Sequence, residues 1–160
     1  MSTDDAQPAY EYPTIVSSLY YTHPKAALAW LERAFGFETR MLIEGPDGDD
    51  SQIHSELTFG AGVIFVGGEW NPSIKSPSSV GGANTQSIHV RVEGDLDAHC
   101  AQARSAGARI TQEPQDQFYG DRTYRAVDLE GHAWSFAKPI RRLSLAEMAR
   151  AGGVEIKSSL

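Results

Sequence analysis

The residues best suited to chemistry fall in two pairs, each within a short stretch of β-forming sequence. His54 and Glu56 are two positions apart, and so are His89 and Arg91. Because side chains alternate faces along a strand, both members of a pair point to the same side. Histidine can act as an acid–base group near neutral pH, a neighbouring carboxylate can take part in proton transfer, and arginine binds carboxylate or phosphate groups through paired hydrogen bonds. If the fold brings the pairs together, they offer acid–base catalysis or the binding of an anionic molecule.

Composition excludes several other kinds of chemistry. Cys100 is the single cysteine in 160 residues, so neither an internal disulfide nor a thiolate metal site can form. The 21 acidic and 14 basic residues give a net charge of −7, which disfavours nucleic acid as a partner. No run of about 18 apolar residues exists, and residues 1–13 are acidic and polar, unlike a secretory signal. These features predict a cytoplasmic protein with no membrane partner.

The elements that must position these residues occur twice along the chain. Helical spacing ends at Gly36 and again at Gly107, tight turns lie at Gly60 and Gly131, and both separations are 71 residues. This repeat predicts an α+β chain of two tandem β-α-β-β-β units whose curved sheets face a shared cleft. The strands are predicted at 14–21, 37–43, 52–59 and 63–66 and again at 87–92, 108–112, 122–128 and 134–137, with helices at 24–35 and 95–106.

The two units are predicted to form one domain, at 13–138. The stretch between them is rich in Gly, Pro, Ser and Asn, which is typical of a surface loop. Residues before the domain lack hydrophobic periodicity, and residues after it show helical spacing at 143–151. The predicted order is a flexible arm at 1–12, a first unit at 13–67, a linking loop at 68–85, a second unit at 86–138, and a C-terminal helix and tail at 139–160.

Three stretches resemble parts of a known protein family. The sequence AALAWLERAFG at 26–36 looks like the helix of its first unit, and Ala106-Gly-Ala108 followed by Pro114 looks like the end of its second helix. Residues 119–137 are similar to its closing hairpin, which runs through an aspartate–glycine turn. The chain thus resembles the vicinal oxygen chelate superfamily of glyoxalase I, extradiol dioxygenases, and bleomycin and fosfomycin resistance proteins. The resemblance covers 14–138 and implies a curved sheet cup, commonly completed across a homodimer interface.

The resemblance also implies where metal ligands would lie. Metal enzymes of the family carry them on the first and last strand of each unit, at positions that map onto Val16, Ile64, Ser87 and Ser135. Valine and isoleucine have no donor atom, and a serine hydroxyl is a poor ligand. The usual metal site is therefore expected to be absent, which favours the metal-free, bleomycin-binding branch. Whether the protein is an enzyme stays open.

Strand alternation predicts which side chains face the cup. Positions in phase with Val16 and Ser87 point inward, whereas the apolar residues between them pack under the helices. Trp70, in the linking loop, is placed to cover a ligand by stacking. The predicted ligand-binding residues are Tyr20, His54, Glu56, Trp70, His89, Arg91 and Arg125, with Ser18 and Ser135 beside them.

Three interpretations of this lining are open. The first is a metal-independent protein that binds and sequesters a polar or anionic organic molecule, with Arg91 and Arg125 holding its charge. The second is a lyase, isomerase or dioxygenase that uses His54 and Glu56 as acid–base groups, or that holds a divalent metal at these two residues and His89. In the third, charged residues pair locally without chemistry. A module that docks a protein partner through the C-terminal helix is a further possibility.

Other residues near the predicted turns and helices receive structural interpretations. His132 follows the last turn and is expected to be exposed. Trp134 neighbours Ser135, so it points to the helix layer and is expected to pack in the core. His99 and Cys100 are adjacent on a helix, where neighbouring side chains point apart, so they are not expected to form a nucleophile–base pair.

Overall fold

The computed structural model describes residues 11–159. Most of the arm predicted at 1–12 therefore lies outside the described residues. Within residues 11–159 the chain contains eight strands and three α-helices, which follow the predicted order of two β-α-β-β-β units and a final helix. None of the helices in this range is long and apolar enough to cross a membrane.

The two units contain matching elements. In each, the first strand pairs in parallel with the fourth and the remaining neighbours are antiparallel, so the strands of a unit lie in the order first, fourth, third, second. The first unit comprises β1 (Ser17–Tyr21), α1 (Pro24–Phe35), β2 (Glu38–Ile43), β3 (His54–Phe59) and β4 (Gly62–Gly68). The second comprises β5 (Ser87–Arg91), α2 (Leu96–Ser105), β6 (Arg109–Asp116), β7 (Asp121–Val127) and β8 (Ala133–Pro139), and α3 (Leu145–Gly152) follows it. The predicted α+β fold with a tandem repeat is confirmed.

Helix α1 begins and ends where the local sequence predicts. Pro24 occupies its first turn, where a missing N–H costs little. Gly36 ends it at a φ of +79°, a left-handed conformation that glycine adopts without steric cost, and its N–H donates to the carbonyl of Glu32. The buried face of the helix includes Leu31 and Phe35. Through this face of α1, the first unit packs against the second.

The helix-covered faces of both sheets share one hydrophobic core. The ring centroid of Phe35 lies 5.1 Å from that of Trp134 and 4.7 Å from that of Phe136, both on β8. The same buried cluster extends from Leu19 on β1 to Tyr124 on β7. Trp134 therefore packs in the core, as predicted. Because side chains alternate along each strand, the polar residues singled out by the sequence lie on the opposite, open faces of the two sheets.

The carboxylates of Asp128 and Glu130, in the turn between β7 and β8, form hydrogen bonds that connect the two units. Oδ2 of Asp128 accepts a hydrogen bond from the hydroxyl of Tyr21 at 2.6 Å. The carboxylate of Glu130 accepts hydrogen bonds from the backbone N–H groups of Thr22 and His23 at 2.7 and 3.0 Å. These N–H groups precede α1, so the second unit supplies the acceptors that the start of this helix lacks.

The expectation that His132 is exposed is wrong, because the residue is 6% exposed. Its Nδ1 atom lies 3.2 Å from Oδ2 of Asp128, and its ring centroid lies 4.3 Å from that of Tyr21. The backbone N–H groups of Glu130 and His132 both donate to Oδ1 of Asp128. Because of these hydrogen bonds, the turn wraps around the Asp128 carboxylate and the His132 ring packs against it.

The strand registers correct one of the mapped metal-ligand positions. Ile64 pairs with Ser17 and is buried, whereas the next residue, Phe65, points to the open face. In the second sheet Ser135 pairs with His89 and points to the open face. The repeat offset is 71 residues on the first strands but 70 on the last strands, so Phe65, and not Ile64, corresponds to Ser135. Phe65 has no donor atom either.

Candidate ligand-binding site

The open face of the first sheet brings four predicted residues close together. Tyr20 lies on β1, His54 and Glu56 lie on β3, and Trp70 follows β4. Trp70 is 54% exposed, so its ring is accessible to a ligand. A cavity of about 150 Å³ on this face is lined by Ser18, Tyr20, Ser51, Gln52, Ile53, His54, Phe65, Val66, Gly67 and Trp70.

Glu56 lies beside this cavity and is only 1% exposed. Nε and Nη2 of Arg40 are both 2.9 Å from its Oε2, and the hydroxyl of Tyr12 donates to its Oε1 at 2.5 Å. Nε2 of His54 lies 3.7 Å from the same Oε1. Burial alone would raise the pKa of Glu56, but the hydrogen bonds from Tyr12 and Arg40 outweigh it and hold the pKa below its ordinary value. Glu56 is therefore an ionised carboxylate that is covered from solvent.

Arg40 reaches Glu56 with the help of a β-bulge in β2. The register between β2 and β3 shifts between Thr39 and Met41, so Arg40 and Met41 both lie opposite Glu56. The sequence interpretation missed Arg40. Pairing 37–43 with 52–59 as an antiparallel hairpin would have placed it next to Glu56, because residues facing each other across a pair lie on the same side of the sheet.

Tyr12 is the second contact that the sequence interpretation missed. Its ring lies edge-on to Phe65, with centroids 5.8 Å apart and an interplanar angle of 87°. The guanidinium carbon of Arg40 lies 5.0 Å from the Tyr12 ring centroid, a cation–π geometry. The hydrogen bond to Glu56 raises the pKa of Tyr12. No periodicity in the arm signals this residue, since a single tertiary contact leaves no repeating pattern.

The other predicted residues lie on the open face of the second sheet. His89 and Arg91 on β5 and Arg125 on β7 are exposed, and Ser135 on β8 pairs with both His89 and Arg125. His89 and Arg91 border a cavity of about 490 Å³, whose other walls are mostly apolar. This cavity shares no lining residue with the one on the first sheet. Within one chain, the predicted lining is therefore divided into two groups.

Metal donors are not clustered in the described part of the chain. Within residues 11–159, no three His, Cys, Asp or Glu side chains are grouped so that they could hold a metal ion. The suggested set of His54, Glu56 and His89 is divided between the two sheets.

The arrangement on the first sheet suits binding better than proton transfer. Hydrogen bonds from Tyr12 and Arg40 hold the pKa of Glu56 below its ordinary value, so its carboxylate is a poor acceptor for a substrate proton. The cavity beside them is lined by aromatic rings and by the partly exposed His54. Such a lining offers a small molecule stacking surfaces and an imidazole that can form a hydrogen bond.

Two β-α-β-β-β units whose helix-covered sheet faces share one hydrophobic core define a class of small α+β proteins. The model of the Glyoxalase/Bleomycin resistance protein/Dioxygenase superfamily matches residues 14–136, and the chain belongs to this superfamily. This finding confirms the family resemblance that the helices and the closing hairpin indicated.

Individual relatives share the fold over most of the chain. The crystal structure of TioX from Micromonospora sp. ML1 is 35% identical, with a TM-score of 0.62 over 79% of this chain and 98% of TioX. TnmS3, an antibiotic binding protein from Streptomyces sp. CB03234, is 18% identical, with a TM-score of 0.61 over 83% of this chain and 99% of TnmS3. An uncharacterized protein of Mycobacterium tuberculosis (strain H37Rv), Rv0887c, is 28% identical over 143 residues, 87% of this chain and 82% of that protein.

Proposed function

We propose that the protein binds a small, flat organic molecule on the open face of its first sheet, without a resident metal ion, and acts by sequestering it rather than by catalysis. The observation that carries this proposal is the cavity of about 150 Å³ to which Tyr20, Phe65 and Trp70 contribute aromatic rings. Aromatic side chains bind flat ligands by stacking. The mapped metal-ligand position on β4 is Phe65, which offers no donor atom.

The superfamily supports a binding role. It includes bleomycin resistance proteins, and TnmS3, which shares the fold, is an antibiotic binding protein. A protein that sequesters a molecule needs affinity and enclosure, but no proton acceptor. The hydrogen-bonded oxygens of Glu56 are consistent with this requirement.

We further propose that the ligand is anionic and that a second copy of the chain supplies the positive charge. Arg91 and Arg125 lie on the second sheet, and neither lines the cavity on the first sheet of the same chain. Cups of this family are commonly completed across a homodimer interface, as the family resemblance implies. A dimer in which the first sheet of one copy faces the second sheet of the other would place guanidinium groups opposite the aromatic cavity, where they can bind a carboxylate.

Calorimetric titration with 2-naphthoate, a flat aromatic carboxylate, tests the proposed binding. The wild-type protein is expected to bind it, and Trp70→Ala is expected to weaken binding about three- to tenfold through the lost stacking. Val80→Ala removes an exposed apolar side chain of the linking loop that lines neither cavity, and it should leave binding unchanged. Equal affinity of Trp70→Ala and wild type would contradict the assignment of this face.

Mixed variants test the shared cup. Trp70→Ala damages the first-sheet face, and Arg125→Gln damages the second-sheet face. Refolding the two variants together at equal concentration should restore wild-type affinity in about a quarter of the sites, because half of the random dimers are mixed and each has one intact face pair. A monomer in solution, or a mixture with no restored sites, would overturn the shared cup while leaving the first-sheet site open to the titration above.

A further inference from the structure

The N-terminal segment, residues 11–16, places a tyrosine ring on the proposed binding face. These residues form no helix or strand. The Tyr12 hydroxyl joins this segment to the first sheet through its hydrogen bond to Glu56. Tyr12 is 50% exposed. Its ring can therefore leave Glu56 without opening the hydrophobic core.

Each contact of Tyr12 recognises a different part of its side chain. The buried Glu56 carboxylate accepts the phenolic hydrogen, the Arg40 guanidinium lies over the π face, and Phe65 meets the ring edge-on. A carboxylate binds a hydroxyl donor strongly where water is excluded, and a guanidinium is attracted to an aromatic face. None of these contacts depends on the ring being attached to the protein backbone. They would recognise the hydroxyaryl group of a separate molecule equally well.

The contacts lie next to the cavity on the same face. Phe65 touches the Tyr12 ring and also lines the cavity, and His54 lines the cavity while lying 3.7 Å from Glu56. A cavity of about 150 Å³ accommodates an aromatic ring of benzene size. The position of the Tyr12 ring therefore adjoins the cavity at Phe65 and His54. With the Tyr12 ring displaced, Arg40 still pairs with the carboxylate, so the acceptor stays ionised.

We propose that Glu56, Arg40 and Phe65 form a subsite for a hydroxyaryl group, that Tyr12 occupies this subsite in the structure, and that a ligand bearing a phenol binds by displacing Tyr12. The proposal rests on the proposed binding function of the first sheet and adds the chemical group that this sheet selects. The N-terminal segment acts as an internal competitor. It lowers the apparent affinity for a phenol by the fraction of molecules in which the subsite is open.

Ligand-observed NMR with p-cresol and toluene tests the subsite, since the two probes differ by one hydroxyl group. Tyr12→Ala is expected to bind p-cresol about tenfold more tightly than wild type, because the competitor is gone. Toluene should gain at most about threefold, since it cannot donate to Glu56. Glu11→Ala, on the same segment but exposed, is the matched control and should resemble wild type. In the Tyr12→Ala background, Glu56→Gln should remove most of the gain for p-cresol.

Three results would overturn the subsite: equal affinity of wild type and Tyr12→Ala for p-cresol, an equal gain for toluene, or a gain that survives Glu56→Gln. The comparison of p-cresol with toluene needs only Tyr12→Ala, so it remains decisive if Glu56→Gln does not fold. Titration of wild type with 2-naphthoate separates the two proposals. Binding of 2-naphthoate at Trp70 with no effect of Tyr12→Ala on p-cresol would contradict the subsite alone, whereas no binding of 2-naphthoate would contradict the proposed function.

Discussion

The hydroxyl of Tyr21 donates a hydrogen bond of 2.6 Å to Oδ2 of Asp128, across 107 residues of sequence. The bond joins the end of β1 to the turn between β7 and β8, and both partners are buried. Burial alone would raise the pKa of Asp128, but hydrogen bonds from His132, Tyr21 and Trp134 outweigh it and hold the pKa below its ordinary value. The contact between the two units is thus built around an ionised carboxylate that needs its donors.

Tyr21→Phe is expected to lower the free energy of unfolding by about 1–3 kcal/mol, because it removes the shorter of the hydrogen bonds that Oδ2 of the buried Asp128 carboxylate accepts and leaves that from the Trp134 indole. Urea denaturation monitored by circular dichroism measures the change. Tyr119→Phe, which removes the hydroxyl of a partly exposed tyrosine, should change the value by less than about 0.5 kcal/mol. Equal free energies of unfolding for the two variants would contradict a stabilising role of the Tyr21–Asp128 hydrogen bond between the units.

Stability is expected to fall in mildly acidic solution because of His99. Its Nε2 lies 2.8 Å from the carbonyl oxygen of Phe35, and its Nδ1 lies 2.6 Å from the hydroxyl of Tyr124. Since the carbonyl can only accept, Nε2 carries the hydrogen of a neutral ring. Burial lowers the pKa of His99 from its ordinary value of 6.5, although the bond to Phe35 acts in the opposite direction.

Because the pKa of His99 is lowered in the folded protein, this histidine becomes protonated at a higher pH in the unfolded chain than in the folded one. The contribution of His99 to stability is therefore fully present above pH 6.5 and is lost as the pH falls through the folded-state pKa. Urea midpoints measured from pH 8 to pH 5 should fall in wild type and fall less in His99→Gln. His89→Gln, at an exposed position, should keep the wild-type profile. Parallel profiles for wild type and His99→Gln would contradict this role.

Gly68 is expected to be intolerant of a side chain. A Cβ atom there would lie 2.3 Å from the carbonyl oxygen of Asp50 and 2.5 Å from Cα of Ser51, where the turn before β3 packs on β4. Gly68→Ala should therefore cost more than about 2 kcal/mol and should also weaken 2-naphthoate binding, since this turn forms a cavity wall. Gly94→Ala meets no atom within 4 Å and should stay within about 1 kcal/mol of wild type. Equal midpoints of thermal unfolding for the two variants would contradict the close packing of the turn at Asp50 and Ser51 against Gly68.

The fold was predictable because its signals are local. Apolar residues at helical spacing, glycines at the ends of the helices and turns, and the repeat of Gly36 at Gly107 all act through neighbouring residues. The alternation of buried and open positions also followed from the strands, and it correctly placed Trp134 in the core. The error at Ile64 arose because one shared offset was applied to every strand, whereas pairing registers differ by one residue between the sheets.

The site was less predictable because its contacts are tertiary. Arg40 reaches Glu56 beside a bulge, and Tyr12 reaches it from a segment without secondary structure. Neither event leaves a periodic pattern in the sequence. His132 was misjudged for a related reason, since its burial depends on how the turn wraps Asp128. The division of the predicted lining between two sheet faces likewise depends on how the units pack.

Binding of a flat ligand by the first sheet beside Trp70 is tested most directly by ¹H–¹⁵N NMR, which follows the indole N–H signals of the protein during titration with 2-naphthoate. The chain has three tryptophans, so three such signals are expected. The indoles of Trp30 and Trp134 donate to Ala106 and Asp128 within the fold, whereas Trp70 is exposed and lines the cavity. We predict that the Trp70 signal shifts on binding while the other two stay in place. Binding of 2-naphthoate that leaves the Trp70 signal unchanged would contradict a ligand site beside Trp70.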